Sequence, residues 1–277
     1  MLFWKMQGLG NDYIVVDSKK QRISDQQIPK LAKKLCQRRF SIGADGLLLV
    51  YPSNVADVKM RIFNADGSEA EMCGNGIRCF SKYCYENGIV LKNAFNVETL
   101  SGIKQIWLTI KDSEVYSVKV DMGAPNWECS TLSIQGQGTF INETLEIDDK
   151  PYTITCLSMG NPHCIIFVEK VEEFPVNIIG PIVENYKAFP YRTNVAFVQI
   201  LNRNELKVRV WERGCGETLA CGTGTCAAVA AANRLGRVNN NVTVHLLGGD
   251  LKVEVGKTLL LIGAAEKVFE GTLFKEP

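Results

Sequence analysis

Residues 59–88 read KMRIFNADGSEAEMCGNGIRCFSKYCYENG, and residues 207–236 read KVRVWERGCGETLACGTGTCAAVAAANRLG. The two stretches align without a gap at an offset of 148 residues, and both contain Cys-Gly-X-Gly. Self-similarity at a fixed offset is typical of a repeated supersecondary unit, so the sequence predicts two copies of one α/β unit. The identical positions are Lys59, Arg61, Glu69, Cys73, Gly74, Gly76 and Gly88 in the first stretch and Lys207, Arg209, Glu217, Cys221, Gly222, Gly224 and Gly236 in the second.

Weaker similarities flank these stretches in the same order in both halves. Leu9-Gly10-Asn11 matches Met159-Gly160-Asn161. A strand-like run breaks at Met122-Gly123-Ala124-Pro125, which we take as the boundary between the halves. The predicted domains are an N-terminal half of residues 1–121 with 266–277, which carries Cys73, and a C-terminal half of residues 122–265, which carries Cys221.

Each copy shows the same local pattern of strand, loop, cysteine and helix. Apolar and polar residues alternate over 58–63 and 206–211, which predicts strands with one buried face. Helical spacing of apolar residues follows each Cys-Gly-X-Gly, and the glycines that close the two stretches suit the position just past a helix end. The alanine-rich run 227–232 has small side chains nearly all round, which favours a central helix enclosed by sheet.

Charge and composition exclude several classes of function. Lys and Arg number 31 against 30 Asp and Glu, a net charge of +1, and neither sign forms a long block. The sequence therefore predicts no nucleic-acid partner and no membrane-surface partner. It contains no apolar run of about 18 residues and no apolar signal segment, so we expect a cytoplasmic protein. In reducing cytoplasm the ten cysteines are expected to be thiols rather than disulfides.

Cys73 and Cys221 are the residues most suggestive of chemistry. Each precedes Gly-X-Gly at a predicted helix start, where unpartnered backbone N–H groups and the helix dipole stabilise anions. We expect the pKa of both thiols to fall below the usual value of about 8.5. The same N–H groups can bind a carboxylate, so two such helix starts could hold one carboxylate between a thiolate base and a thiol acid. That pattern favours inversion at a carbon next to a carboxylate.

The cysteines allow two other interpretations, as structural thiols or as metal ligands. A cytoplasmic cysteine is most often a small buried hydrophobe, and we interpret the other eight as structural. The spacings from Cys73 to Cys84 and from Cys215 to Cys226 look regular, but they contain no Cys-X2-Cys pair and do not coincide between the copies. We therefore predict no metal site at these cysteines.

Five motifs in order resemble the diaminopimelate epimerase family over essentially the whole chain. The resemblance implies an α+β fold of two pseudo-symmetric domains, each a mostly antiparallel sheet wrapped round a central helix. It also implies the interconversion of LL- and meso-2,6-diaminoheptanedioate in lysine and peptidoglycan biosynthesis, without pyridoxal phosphate or metal. The motifs are 5–12 (KMQGLGND), 63–79 (FNADGSEAEMCGNGIRC), 160–163 (GNPH), 192–195 (RTNV) and 211–224 (WERGCGETLACGTG).

The resemblance also assigns roles to individual residues. Cys73 and Cys221 match the acid–base pair, and His163 and Glu212 match residues thought to set the ionisation of those thiols. The expected partners are diaminopimelate and, as an assembly, a homodimer. Residues implied to bind the substrate are Asn11, Asn64, Gly74, Asn75, Asn161, Asn194, Glu212, Arg213, Gly222 and Thr223. Some members place a substrate-binding glutamine where this chain has Gly46, so that contact is expected to be missing.

The nearest alternative keeps the mechanism and changes the substrate, because related two-thiol racemases act on proline or hydroxyproline. The pair Glu212-Arg213 and Asn75 favour diaminopimelate, since a second amino-acid centre needs its own polar partners. A phenazine-biosynthesis type of protein shares the implied architecture without depending on two thiols. Intact Cys-Gly-X-Gly motifs in both halves argue against it.

Overall fold

The computed structural model describes residues 1–19, 23–132, 138–147 and 150–274. The chain divides into two compact units: unit 1 comprises Met1–Asp121 and Ile262–Pro277, and unit 2 comprises Met122–Leu261. Among the described residues, no helix is both long and apolar enough to cross a membrane.

The elements follow the chain in this order. Residues 1–121 form β1 (Leu2–Gly8), β2 (Asn11–Asp17), a 3-10 turn (Asp25–Gln27), α1 (Ile28–Cys36), β3 (Gly46–Tyr51), β4 (Val58–Asn64), β5 (Glu69–Ala70), α2 (Gly74–Glu86), β6 (Ala94–Thr99), β7 (Gly102–Lys111) and β8 (Glu114–Asp121). The rest forms α3 (Cys129–Leu132), β9 (Glu143–Ile147), β10 (Lys150–Ser158), β11 (Pro162–Phe167), α4 (Val176–Glu184), β12 (Asn194–Asn202), β13 (Glu205–Glu212), β14 (Gly216–Thr218), α5 (Gly222–Arg234), β15 (Asn241–Leu246), β16 (Gly249–Val255), β17 (Leu259–Gly263) and β18 (Glu266–Thr272).

The two units repeat one strand topology. In unit 1, β1 and β2 are antiparallel, β2 runs parallel to β3 across the crossover helix α1, and β3, β4 and β5 are antiparallel neighbours. In unit 2, β10 and β11 are antiparallel, β11 runs parallel to β12 across α4, and β12, β13 and β14 are antiparallel. After the buried helix, β4 pairs in parallel with β6, and β13 pairs in parallel with β15.

Helix α2 of unit 1 and helix α5 of unit 2 are the buried helices, and both have thirteen residues. Helix α2 packs against β1, β2, β3, β4 and β8, and α5 packs against β10 to β13 and β16. The prediction of a helix enclosed by sheet is confirmed for each unit. Helix α2 also buries Lys82, whose ammonium donates to Val115 O at 2.8 Å and pairs with Glu86 at 2.9 Å, so its charge is compensated.

The predicted helix boundaries are also confirmed. Helix α2 has Cys73 as its N-cap and α5 has Cys221. Gly88 and Gly236 follow the C-caps with φ of 67° and 68°, in the left-handed region that glycine enters without a Cβ clash. The strands β4 and β13 lie where the alternating pattern predicts them.

Matching ion pairs link β4 to β5 and β13 to β14. Arg61 donates to Glu69 through Nε at 2.7 Å and Nη2 at 2.9 Å. Arg209 donates to Glu217 through the same two atoms at 2.6 and 3.0 Å. These bidentate pairs account for the identity of both residue types at the 148-residue offset, because each holds the hairpin that leads to a capping cysteine.

Candidate active site

Each capping cysteine has the same backbone geometry. Cys73 has φ −142° and ψ 122°, and Cys221 has φ −128° and ψ 114°, so both are extended where a helix begins. Their sulfur atoms accept hydrogen bonds from the N–H of Gly76 at 3.5 Å and of Gly224 at 3.4 Å. A thiol at this position acts as the N-cap acceptor in place of the usual hydroxyl or carboxylate.

Glycine at the third helical position is what allows this cap. A Cβ built at Gly76 would lie 3.5 Å from Cys73 Cβ and 3.3 Å from Ile62 Cδ1. At Gly224 it would lie 3.3 Å from Cys221 Sγ. The second glycine of Cys-Gly-X-Gly therefore keeps the space beside each sulfur open.

The surroundings of the two sulfur atoms differ. Cys73 is partly exposed, and its Sγ lies 3.0 Å from the hydroxyl of Tyr13, which is buried. Cys221 is buried, and its Sγ lies 3.5 Å from Thr223 Oγ1. One thiol therefore faces a phenol and the other faces an aliphatic hydroxyl.

The expectation of a lowered pKa is wrong for Cys221. Burial raises the pKa of the Cys221 thiol well above its usual value, and the negative charge of Glu212 raises it further. Hydrogen bonds from Thr223 and the Gly224 N–H lower it, but burial and the like charge outweigh them. Cys221 is therefore held as a protonated thiol at neutral pH.

Glu212 is fixed beside this thiol by its own hydrogen bond. It ends β13, and its Oε1 accepts from Thr218 Oγ1 of the neighbouring strand β14 at 2.6 Å. The β13–β14 hairpin therefore supplies both the carboxylate and the residue that orients it.

Near the start of α5, hydrogen bonds join three of the predicted site residues of unit 2: Asn161, His163 and Thr223. Asn161 donates from Nδ2 to Thr223 Oγ1 at 3.4 Å, and its Oδ1 lies 2.9 Å from His163 Nε2. His163 is buried, and burial followed by the positive charge of Arg213 lowers the pKa of its imidazole to about 3. The imidazole is therefore neutral and donates to Asn161 through Nε2, while its buried Nδ1 has no hydrogen-bond partner among the described residues.

Asn194 and Arg213 belong to the same set. Asn194 starts β12 opposite His163 in the parallel register, and its Oδ1 accepts from the Arg213 N–H at 3.0 Å. Its Nδ2 donates to Pro162 O at 2.8 Å. The guanidinium of Arg213 donates to Tyr191 O at 3.2 Å on an exposed loop, where it can meet an anion.

Glu184 is a residue that the sequence analysis missed. It ends α4, is 5% exposed, and accepts from Trp211 Nε1 at 2.7 Å, the Gly214 N–H at 2.9 Å and Arg192 Nη1 at 3.2 Å. These contacts hold the residues on either side of Glu212 and Arg213. No spacing in the sequence marks it, because its partners are 8 to 30 residues away along the chain.

The predicted residues of unit 1 form a shorter network. Asn75, at the second position of α2, donates to Asn11 Oδ1 at 2.6 Å. Asn11 donates to Asp45 Oδ2 at 3.1 Å. The buried Arg78 guanidinium bridges Gly74 O and Asn75 Oδ1, both at 3.0 Å, so the first turn of α2 is held from inside.

Asn64 lies at the end of β4 opposite Gly46 of β3, and its amide donates to Ser68 Oγ at 2.9 Å. Gly46 itself leaves no room for a side chain. A Cβ there would approach Phe63 O to 2.9 Å and two ring atoms of Tyr13 to 3.5 Å. A glutamine at this position would require the backbone at Phe63 to shift, so the glycine allows the close approach of β3 to β4 and is not simply a deleted contact.

The remaining cysteines are buried thiols, with one exception. Burial raises the pKa of Cys36 to about 11 and of Cys79 to about 12, so these stay protonated and unreactive. Cys215 is the exposed one. In the described part of the chain, no cluster of three or more His, Cys, Asp or Glu side chains is arranged to hold a metal ion.

Within each unit the structure thus places one thiol at a helix start with amide and hydroxyl groups around it. Thiols, backbone donors and a carboxylate in this arrangement can accept and donate protons next to a bound carboxylate. Among the hydrogen bonds that the structure describes, none joins Asn64 directly to Asn11 or Asn75.

The chain is similar to diaminopimelate epimerases over nearly its whole length. A family model described as "Diaminopimelate epimerase" matches residues 3–128 and 155–268. A diaminopimelate epimerase from Moorella thermoacetica is 50% identical over 275 residues, which are 98% of this chain and 98% of that protein. One from Pelotomaculum thermopropionicum is 51% identical over 274 residues, with the same coverage of both chains.

A solved structure shares the architecture. A hydroxyproline epimerase from Agrobacterium vitis with bound trans-4-OH-L-proline matches with a TM-score of 0.73 at 14% identity, covering 98% of this chain and 91% of that one. At this identity the likeness concerns the fold alone. Together with the strand and helix order, it confirms the predicted α+β class.

Proposed function

The chain belongs to the diaminopimelate epimerase family, and from that premise we propose that it interconverts LL- and meso-2,6-diaminoheptanedioate without a cofactor. The resemblance in its motifs is confirmed by the match of the family model. The activity is that of an isomerase that inverts one of the two amino-acid centres.

The observation that carries the mechanism is the pair of matching N-cap cysteines. A thiolate at one of them removes the α-proton, so that a C–H bond breaks and an S–H bond forms. The thiol of the other gives its proton to the same carbon from the opposite side, so that its S–H bond breaks and a new C–H bond forms. Cys73 and Cys221 exchange these roles when the reaction runs in reverse.

The negative charge that develops in the transition state spreads into the α-carboxylate. The first-turn N–H groups of α2 and α5, at Gly74 and Asn75 and at Gly222 and Thr223, are the donors that stabilise it. Two helix N-termini, each equivalent to about half a positive charge, add to the same effect. This stabilisation takes the place of an electron-withdrawing cofactor.

Recognition of the second amino-acid centre falls to the side chains in which the halves differ. The Arg213 guanidinium suits a bidentate bond to the distal carboxylate. The amides of Asn11, Asn64, Asn161 and Asn194, with the carboxylate of Glu212, supply donors and acceptors for the rest of the molecule. Proline has no second centre of this kind, so the account favours diaminopimelate over a proline-type substrate.

Epimerisation in deuterium oxide tests the function. With LL-diaminopimelate, the first meso product should carry deuterium at the inverted carbon while the remaining substrate stays unlabelled, because the two proton carriers are different groups. Mass spectrometry at early conversion measures both species. Product that keeps the substrate hydrogen would overturn the two-base mechanism, and inversion of proline with none of diaminopimelate would overturn the substrate.

A homodimer and a cytoplasmic setting stay predictions. Sedimentation velocity over a range of concentrations tests the first, and fractionation of cells that express the tagged chain tests the second.

A further inference from the structure

Tyr13 makes a contact with Cys73 that none of the sequence motifs indicates. Its hydroxyl lies 3.0 Å from Cys73 Sγ, well inside hydrogen-bond distance for sulfur, and the side chain is 4% exposed. The other hydrogen bond that the structure describes for this sulfur comes from the Gly76 N–H at 3.5 Å.

The ring of Tyr13 is fixed by its place in the sheet. Tyr13 lies on β2 opposite Gly46 of β3 in the parallel register. A Cβ at Gly46 would be in ordinary van der Waals contact with the ring, 3.5 Å from both Cδ1 and Cε1. The ring therefore lies against the backbone of Gly46, with its hydroxyl at the Cys73 sulfur.

The duplication gives this position a counterpart in unit 2. Asn11 matches Asn161 at an offset of 150 residues, so Tyr13 corresponds to His163. Both lie on the strand that runs parallel to its neighbour across a crossover helix, and both side chains are buried. Unit 1 therefore presents a phenol at the position where unit 2 presents an imidazole.

The direction of the hydrogen bond follows from the acidity of the phenol. Burial, followed by the charge of Cys73, raises the pKa of Tyr13 well above its usual value. The phenol therefore keeps its proton at neutral pH, so it is the donor whenever the Cys73 sulfur carries a negative charge. A hydrogen bond from a neutral donor to a charged acceptor is among the strong ones in proteins.

We propose that Tyr13 is a third catalytic group, which donates a hydrogen bond to the Cys73 sulfur and stabilises Cys73 as the thiolate. The catalytic part rests on the proposed function, whereas the effect on thiol ionisation does not. Tyr13 keeps its own proton throughout: the α-proton goes to Cys73 Sγ, and the phenol stays beside the sulfur in both states. With Cys221 held as a thiol beside Glu212, the resting protein then has one base and one acid.

Tyr13→Phe tests the proposal by removing one oxygen atom from a buried ring. The rate of Cys73 alkylation by iodoacetamide is measured against pH, with each site followed by mass spectrometry of its peptide. The alkylation rate reports the thiolate fraction. The pH midpoint of Cys73 alkylation should therefore move up by about one pH unit or more. A profile that superposes on that of the unchanged protein would overturn the proposal.

Two controls accompany this measurement. The exposed Cys215 of the same samples serves as the internal reference, and its profile should not move. Tyr83→Phe makes the same chemical change at another buried tyrosine of unit 1, which packs edge-on against Trp4. An equal shift of the Cys73 midpoint in Tyr83→Phe would show a general effect of the change on unit 1 and would overturn a specific role for Tyr13.

A second arm avoids the risk that Tyr13→Phe folds poorly. Protein made with 3-fluorotyrosine has more acidic phenols, which donate stronger hydrogen bonds, so the Cys73 midpoint should move down. In the Tyr13→Phe background the same labelling should cause no shift. A downward shift that persists in that background would assign the effect to other tyrosines and contradict the proposal.

Turnover separates this inference from the proposed function. Tyr13→Phe should lower kcat for epimerisation about tenfold with little change in KM, because the lost bond acts on a reacting atom. If the unchanged protein does not epimerise diaminopimelate, the proposed function fails while the alkylation result stands. If it does and Tyr13→Phe alters neither kcat nor the alkylation profile, the inference fails alone.

Discussion

The first turn of α2 and the first turn of α5 have the same backbone and different chemistry. Each helix begins after an extended cysteine whose sulfur accepts from the N–H three residues on. At the other end of each helix, a glycine of positive φ follows the C-cap. At α2 the sulfur is partly exposed and faces a phenol. At α5 the sulfur is buried, and the carboxylate of Glu212 raises its pKa.

The difference shows how a duplicated scaffold serves an asymmetric task. In the proposed mechanism the backbone donors repeat because stabilising a carboxylate needs the same geometry in each half. The side chains around the sulfur diverge, with Asn64 in unit 1 at the position of Glu212 in unit 2, and Tyr13 at the position of His163. In the proposed mechanism the helix start supplies the site, and the neighbouring side chains decide whether the thiol acts first as base or as acid.

The largest effect is expected at Glu212. Glu212→Gln removes a like charge beside Cys221, so the pKa of that thiol should fall by about one unit, while burial still keeps it above the usual value. Epimerisation should fall about 10²-fold, because the carboxylate proposed to accept from the substrate is lost. Thiolate absorbance near 240 nm against pH, compared with Glu212→Gln/Cys221→Ala, isolates this thiol. Glu205→Gln, at the other end of β13, is the control and should change neither. An unchanged pKa of Cys221 in Glu212→Gln would break the comparison.

The next effect concerns His163 and the pH dependence of stability. Its pKa is about 3 in the folded protein against 6.5 for a free imidazole, so below pH 6.5 the unfolded chain binds a proton that the folded chain does not. The free energy of unfolding should therefore fall as the pH drops from about 6.5 toward 3, by about 1.4 kcal/mol per pH unit from this group.

Urea denaturation between pH 7 and pH 4.5 measures this slope. His163→Gln should lose it, while Tyr13→Phe at the matching position of unit 1 should keep it, because a phenol does not titrate in this range. His245→Gln controls for loss of a histidine at the surface. A wild-type slope in His163→Gln would show that the imidazole is not buried in its neutral form.

A smaller effect is expected at Glu184, which unit 2 uses to hold the residues around Arg213. Glu184→Gln loses the ion pair with the half-exposed Arg192 and weakens the bonds from Trp211 and Gly214, which should cost about 1–2 kcal/mol of stability. KM for diaminopimelate should rise about tenfold with kcat nearly unchanged, because binding is loosened and proton transfer is not. Glu173→Gln, in an exposed ion pair, is the control. A loss confined to kcat would contradict a role in substrate binding.

The smallest effect concerns the C-terminal ends of α2 and α5, where the two units should be equivalent. Gly88→Ala and Gly236→Ala each place a Cβ at φ near +67°, in open space, so each should lower the free energy of unfolding by about 1 kcal/mol. Gly256→Ala, which has neither positive φ nor a close contact, should be neutral within about 0.5 kcal/mol. Chemical denaturation measures all three. Costs at 88 and 236 that differ by more than about twofold would mean that the two helix ends are not equivalent.

The fold was largely predictable because its signals are local. Alternation over 58–63 and 206–211 requires only that one strand face be buried, and Cys-Gly-X-Gly with a glycine fifteen residues after the cysteine marks both ends of each helix. The strands and helices lie where these patterns predict them. The ion pairs Arg61–Glu69 and Arg209–Glu217 were visible as identities, but their contact depends on hairpins that the sequence alone does not pair.

The site was predictable in its residue types and less so in its electrostatics. The pKa of Cys221 was expected to fall because the helix start is a local feature, whereas burial and the position of Glu212 come from the packed unit. Tyr13 looked like an ordinary strand residue, although its match to His163 at an offset of 150 was available in the sequence. Glu184 had no signal, since its role depends on partners brought together by α4 and the β13–β14 hairpin.

Four cysteine variants show whether turnover needs both capping thiols. Epimerisation of LL- and of meso-diaminopimelate is followed by chiral chromatography for Cys73→Ala and Cys221→Ala, with Cys84→Ala on α2 and Cys226→Ala on α5 as matched controls. Each capping variant should lose at least about 10³-fold in both directions, while the controls should stay within about threefold of the unchanged protein. A capping variant that keeps turnover within about tenfold in either direction would contradict the two-thiol mechanism.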